Sequence, residues 1–238
     1  MKATLFDIKI IDFFSQIGPA LALIDLSETI LISNIYFLTT KEQIYLPIKL
    51  ILTWSALVNI KNLLAENFIN NGFIDILYQS KVEIFEAKLK NFSCQSSEKG
   101  CIILLNANSL LKMRNSSIYN TRASKSFISV DHSTIDFEMI EWENNIIYGF
   151  SIDRYLMFAD ISNIALRNIS GIDFSGGFSH FITSNVTIRK ILIEKVQDYN
   201  TTVSGFFFEG CLYLTIEHGF FFNLVAERGA VSELFYSI

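Results

Sequence analysis

The run VTIRKILIEKV, residues 186–196, decides the fold. Its apolar side chains fall at Val186, Ile188, Ile191, Ile193 and Val196, at offsets 0, +2, +5, +7 and +10. Steps of two line up side chains on one face of an extended strand, because successive Cβ atoms point to opposite sides. The single step of three, from Ile188 to Ile191, breaks that alternation once, as a bend between two short strands does. A helix would repeat at 3, 4, 7 and 8, and the run is rich in β-branched residues that suit a pleated surface.

The same spacing recurs outward from this run in both directions, starting at Phe6, Ile30, Val58, Val82, Leu111, Ile135, Ile164, Val186 and Leu214. The gaps are 24, 28, 24, 29, 24, 29, 22 and 28 residues, about 26 on average, a period expected of a solenoid. Short and long coils alternate, which suggests a duplicated pair of coils. Two further coils fill every position: Val58, Ile60, Leu63, Ala65 and Phe68, then Val82, Ile84, Ala87, Leu89 and Phe92. The last reads Leu214, Ile216, Gly219, Phe221 and Leu224, and the fifth is the least regular, with Ser116 in the third apolar slot. A second apolar cluster follows in most coils (Phe73-Ile74-Ile76, Cys101-Ile102-Ile103, Phe127-Ile128-Val130, Phe206-Phe207-Phe208), giving about three short strands per coil. Position +4 is Asn34, Asn62, Asn115 and Asn168 in four coils. Asparagine tolerates the left-handed conformation, so these four are expected to form a stacked turn ladder.

Three stretches carry a family resemblance: TILISNIYFLTT (29–40), NSLLKMRNSSIYNTRASKSFISV (108–130) and SNIALRNISGIDFSGG (162–177). They resemble pectin-lyase-like right-handed parallel β-helix repeats, in the degenerate form of polymorphic outer-membrane repeats and long protist surface proteins. The resemblance covers essentially the whole chain. It implies an all-β, right-handed parallel β-helix of about nine coils, with residues 1–238 a single array and roughly 40 Å of rod at one strand spacing per coil. A leucine-rich repeat is the rival, but that family wants Asn or Cys where this chain has mostly Ile, Leu or Ala at +5.

Composition sets limits. Half the residues are hydrophobic, 18% are charged, and 22 are Phe against 2 Pro, far too apolar for disorder. A net charge of −5 leaves no basic footprint for nucleic acid. Mean hydropathy is +0.35, yet the longest nearly uncharged stretch, Ile44 to Ile60, contains Pro47 and Lys49 and is too short for a spanning helix. The opening MKATLFDIKIIDFF lacks an apolar run followed by a small-residue cleavage site and does not read as a signal peptide. Polar caps are missing at both ends, from Met1 and at Leu234 to Ile238. The expectation is therefore a segment of a longer chain, or ends covered by other chains.

The chemistry-bearing residues form no constellation. Three cysteines make no disulfide framework; buried free thiols are the favoured reading, with Cys94 and Cys101, which share a coil, as a candidate pair. On the first strand the +1 column places no acids on adjacent coils. In the +3 column Glu138 falls between Arg114 and Arg167, with Arg189 beside Glu217, a ladder of surface charge pairs rather than a grip for an acidic glycan. Asp131 and His132 are adjacent, so their side chains are expected on opposite faces. His180 and His218 make no metal set with the cysteines, and no cofactor is expected. Five N-x-S/T sequons, at Asn91, Asn115, Asn168, Asn185 and Asn200, are glycosylation candidates that tilt the reading toward an extracellular or cell-surface chain. The function expected is a non-catalytic structural or interaction rod, with glycans or other chains as partners. The alternatives are a polysaccharide lyase or glycoside hydrolase on the same fold, and a leucine-rich recognition module.

Overall fold

The computed structural model describes residues 3–11, 19–38, 51–68, 73–94, 102–123, 128–147, 150–172, 177–182, 185–199, 206–209, 211, 213–224 and 232–235. Every regular element among them is a β-strand. One series of strands stacks in parallel along the molecule: β1 (Ala3–Ile11), β2 (Leu21–Leu38), β3 (Ile51–Glu66), β5 (Lys81–Lys90), β8 (Leu110–Tyr119), β11 (Ser133–Ile147), β12 (Phe150–Ile172), β14 (Asn185–Tyr199) and β16 (Tyr213–Phe222). A second parallel series runs beside it. It comprises residues 21–24 of β2, residues 51–54 of β3, β4 (Ile74–Leu77), β7 (Ile103–Asn106), β10 (Ile128–Asp131), residues 152–155 of β12, β13 (Gly177–Ile182), β15 (Phe206–Glu209) and β17 (Ser232–Phe235). Each strand of the first series bends in its middle, so a coil has three faces; two short strands, β6 (Ser93–Cys94) and β9 (Arg122–Ala123), pair with each other, and β9 with residues 146–147 of β11. The fold is a parallel β-solenoid, and a single-sheet leucine-rich horseshoe does not describe it.

The register corrects the repeat origin in two coils. Ala3 pairs with Ile30, and Ala159 pairs with Val186, so these coils begin at Ala3 and Ala159 rather than at Phe6 and Ile164. Phe6 lies at +3, where side chains point out, and is 63% exposed. The starts are then 27, 28, 24, 29, 24, 24, 27 and 28 residues apart, and the regular alternation of short and long coils disappears. The length differences fall mainly between the second and third faces. Phe68 is followed by the third-face strand at Ile74, whereas Phe92 is followed by it only at Ile103.

Each corner is made by its own residue column. At +4 the backbone is left-handed at Asp7, Asn34, Asn62, Glu86, Asn115, Met139, Lys190 and His218. Asn34 Nδ2 donates to Asp7 Oδ1 at 2.7 Å, and Asn62 Nδ2 donates to Asn34 Oδ1 at 2.7 Å. The expected ladder is therefore real over these coils, and it extends to Asp7. It stops beyond Asn62, where Glu86 intervenes before Asn115. Asn168 is not part of it. Glu143 pairs with Arg167 and Asn145 with Ile169, which aligns Asn168 with Asn144 at +9 and gives Asn163 the +4 place of that coil. This second corner is also left-handed, at Asn67, Asn91, Asn120, Asn144 and Asn223. Asn91 Nδ2 donates to Asn67 Oδ1 at 2.8 Å, and Asn120 Nδ2 to Asn91 Oδ1 at 3.3 Å.

The third corner carries buried serines at Ser80, Ser109 and Ser133. Ser80 Oγ donates to Leu77 O and accepts the Ala56 N–H; Ser133 Oγ donates to Asp131 O and accepts the Ser109 N–H. The hydroxyls thus tie backbone groups within a coil and between coils, groups that would otherwise be buried unpaired.

The core is one stack of the inward positions. Ile32, Ile60, Ile84, Met113, Phe137 and Ile188 are buried on the first face, and Phe37, Ala65, Leu89, Ile118, Trp142 and Ile193 on the second. Phe37, Phe68, Phe73 and Phe92 form an aromatic cluster, with ring centroids 5.5 to 6.5 Å apart. Ser116 explains the irregular fifth coil. It is buried at +5, donates to Arg114 O and accepts the Ala87 N–H, so a polar side chain fills an inward slot at no cost in unpaired groups.

The ladder makes a graded test possible. Asn62→Gly keeps the left-handed backbone accessible and removes only the amide, whereas Asn62→Ala also imposes strain of about 1–2 kcal/mol. Thermal or urea unfolding should rank wild type above glycine and glycine above alanine. Equal losses would mean that the bend conformation contributes nothing.

Candidate functional site

The outer surface of the first face carries a column of paired charges. Register gives its +1 column as Thr4, Leu31, Asn59, Glu83, Lys112, Asp136, Asp160, Thr187 and Thr215. Asp136 and Asp160 are cross-strand partners, so acids do fall on adjacent coils here, contrary to the expectation from the mis-phased seventh coil. The +3 column shifts for the same reason. Glu138 neighbours Arg114 and Ser162, while Arg167 lies on the second face between Glu143 and Glu194. Arg114 is a clamp: its guanidinium lies 3.1 Å from Asp136 Oδ2 and 3.6 Å from Glu138 Oε2. Lys112 meets Glu83 at 3.4 Å, Arg189 meets Glu217 at 3.8 Å, and Lys61 Nζ sits 5.7 Å from the centroid of the Phe85 ring. These are solvent-facing pairs, each contributing about 0–1 kcal/mol.

A groove of about 410 Å³ opens on the corner between the first and second faces, where the +4 ladder is interrupted. Tyr36, Asn62, Leu64, Glu86, Lys88 and Asn115 line it. Ser117, the residue of β8 paired with Lys88, is buried and small. The groove was not legible from the apolar pattern, because that pattern reports inward residues and all of the lining but Leu63 comes from +4 and +6.

His132 differs from expectation. It occupies a left-handed bend, and this turns its ring back so that Nδ1 lies 2.6 Å from Asp131 Oδ1. The two side chains therefore meet, although the His132 side chain is 71% exposed. The Cys94 side chain and Cys101, the candidate disulfide pair, lie outside the described residues; Cys211 is half-buried. Among the sequons, Asn91 and Asn115 are exposed and Asn185 is half-buried, whereas Asn200 and the Asn168 side chain lie outside the described residues. At Gly219, an inward position in the last repeat, an added Cβ would come within 2.5 Å of Phe221 Cε2, so the glycine makes room for that ring.

No helix among the described residues is long and apolar enough to cross a membrane. No group of three or more metal-binding side chains occurs among them. No protein-family model, curated protein or solved structure matches the chain. The class defined by the geometry is a parallel β-solenoid.

Proposed function

We propose that this chain is a structural or interaction rod within a larger extracellular or cell-surface assembly, without catalysis, and that its repeats are of the pectin-lyase-like, polymorphic outer-membrane kind. The observation that carries this reading is the distribution of exposed apolar side chains. Phe6, Ile24, Leu31 and Tyr36 stand outward on β1 and β2, and Tyr213, Phe220 and Phe222 on β16. The intervening first face is charged and internally paired. Ile11 and Ile216 add to these two groups, with Tyr78 and Met139 as the exceptions between them, and large exposed apolar groups suit contact with other chains or further coils. Labelling of intact cells with an antibody to the chain, and light scattering on native material, test this. Surface label and a mass well above 27.2 kDa are expected. Label only after permeabilisation, with a monomeric mass, would sink it.

One observation favours the enzymatic alternative. Asp136 and Asp160 are register partners on adjacent strands about 4.8 Å apart, and two neighbouring acids are what a glycosidase requires. Arg114 beside Asp136 adds a cation. If this pair acts on polysaccharide, acidic and neutral glycans will be shortened by the wild-type chain and not by Asp136→Asn. Intact glycans after long incubation with the wild type would remove the alternative.

A further inference from the structure

We propose that Asn115 carries an N-linked glycan, and that the first sugars of this glycan lie in the groove between Asn115 and Tyr36 and stabilise the rod. The inference rests on the extracellular reading above and specifies the sequon at which the finished fold accommodates a glycan. Three sequon side chains are described. Asn91 is engaged on both sides, donating to Asn67 and accepting from Asn120. Asn185 is half-buried, with its Oδ1 shielded from solvent. Asn115 is exposed on a left-handed bend, and its column neighbours are Glu86 and Met139, so no amide ladder continues through it. Its side chain makes no hydrogen bond among the described residues, and it forms one end of the groove.

The groove suits a short saccharide. A pyranose presents an apolar C–H face and a rim of hydroxyls, and sites for such ligands combine apolar or aromatic surface with a few placed polar groups. Here Tyr36, Leu63 and Leu64 supply apolar lining, and Asn62, Glu86 and Lys88 supply polar and charged lining. Tyr36 stands three coils from Asn115, roughly 14 Å along the stack. A glycan leaving Asn115 must pass Lys88 and Leu64 to reach it, so one sugar is too short and two or more are needed.

Attachment needs only a lipid-pyrophosphate-linked oligosaccharide as donor. The Asn115 amide nitrogen attacks the anomeric carbon, the new N–C bond forms as the C–O bond to pyrophosphate breaks, and the amide loses one proton while the lipid pyrophosphate departs. Ser117, the sequon hydroxyl, is buried in the folded chain. The transfer therefore precedes closure of this coil.

The test is expression of the full chain behind a secretory leader in cultured animal cells. Every sequon then passes the transferase wherever the native chain resides, which separates this inference from the localisation question. Glycopeptide mass spectrometry of the folded, secreted protein should find Asn115 occupied. Enzymatic trimming to a single sugar should lower Tm by about 2–4 °C. Tyr36→Ala should lower Tm in the glycosylated protein and make it insensitive to trimming. Ser117→Ala, which removes the sequon and leaves the bend residue in place, should match the trimmed protein. Asn115 bare while Asn91 or Asn185 is occupied, or a Tm unchanged by trimming, would overturn the proposal.

Discussion

Replacing Trp142 by alanine should cost about 3–5 kcal/mol of unfolding free energy, the range for a large aromatic removed from a packed core. Trp142 is fully buried at +7 of β11 and meets Phe137 edge-on, with centroids 6.4 Å apart at 86°. Its register partners are Ile118 below and Leu166 above. The rungs on either side are held at fixed spacing by backbone hydrogen bonds, so they cannot close over the void. In a solenoid each repeat contacts only its neighbours, and the damage should be confined. Hydrogen exchange should quicken in β8, β11 and β12 and stay unchanged in β2 and β3. A loss below about 1 kcal/mol in a guanidinium titration would mean that this coil is not packed as described.

Asn145→Leu is the sharper test, because sequence pattern and structure forecast opposite signs. Asn145 occupies the +10 column, filled by Phe68 and Phe92 in other coils, and there the pattern favours leucine. In the structure Asn145 is wholly buried, its Oδ1 accepts the Thr121 N–H at 2.7 Å and its Nδ2 donates to Ile118 O at 3.1 Å. Leucine would orphan both backbone groups, at about 1–3 kcal/mol each, against a gain of roughly 2 kcal/mol from apolar burial. A net loss of about 2 kcal/mol, the midpoint of that balance, is expected by urea denaturation. A more stable variant would show that those two groups find other partners.

These two residues mark where the sequence was legible. The inward columns could be read directly, because burial on one side of a strand forces a two-residue period. Seven of the repeat origins, from Ile30 to Leu214, stand in the register observed. Two origins could not be fixed. In the first coil Phe6 is apolar but points outward, and in the seventh Ile164, Leu166 and Ile169 reproduce the two-residue steps from the second face. That single misphasing hid the neighbouring Asp136 and Asp160 and moved Asn168 to the wrong corner. The second asparagine column was present in the letters at 67, 91, 120, 144, 168 and 223, five residues after the first, and needed only a common origin to be seen. The serine corner and the Asn145 and Ser116 hydrogen bonds were not legible. A polar residue in an apolar column looks like a defect until its backbone partners are placed around it.

The unequal coil lengths have a mechanical consequence. All the interstrand hydrogen bonds run along the rod, so a pull applied at its two ends loads the coils in series and strips them one at a time. Each release would pay out between 24 and 29 residues of chain, roughly 80–100 Å of contour. The single longest step in a force–extension trace, 29 residues, would mark the coil between Val82 and Leu111, like one notch cut deeper than the rest, and its place in the trace would tell when that coil yields.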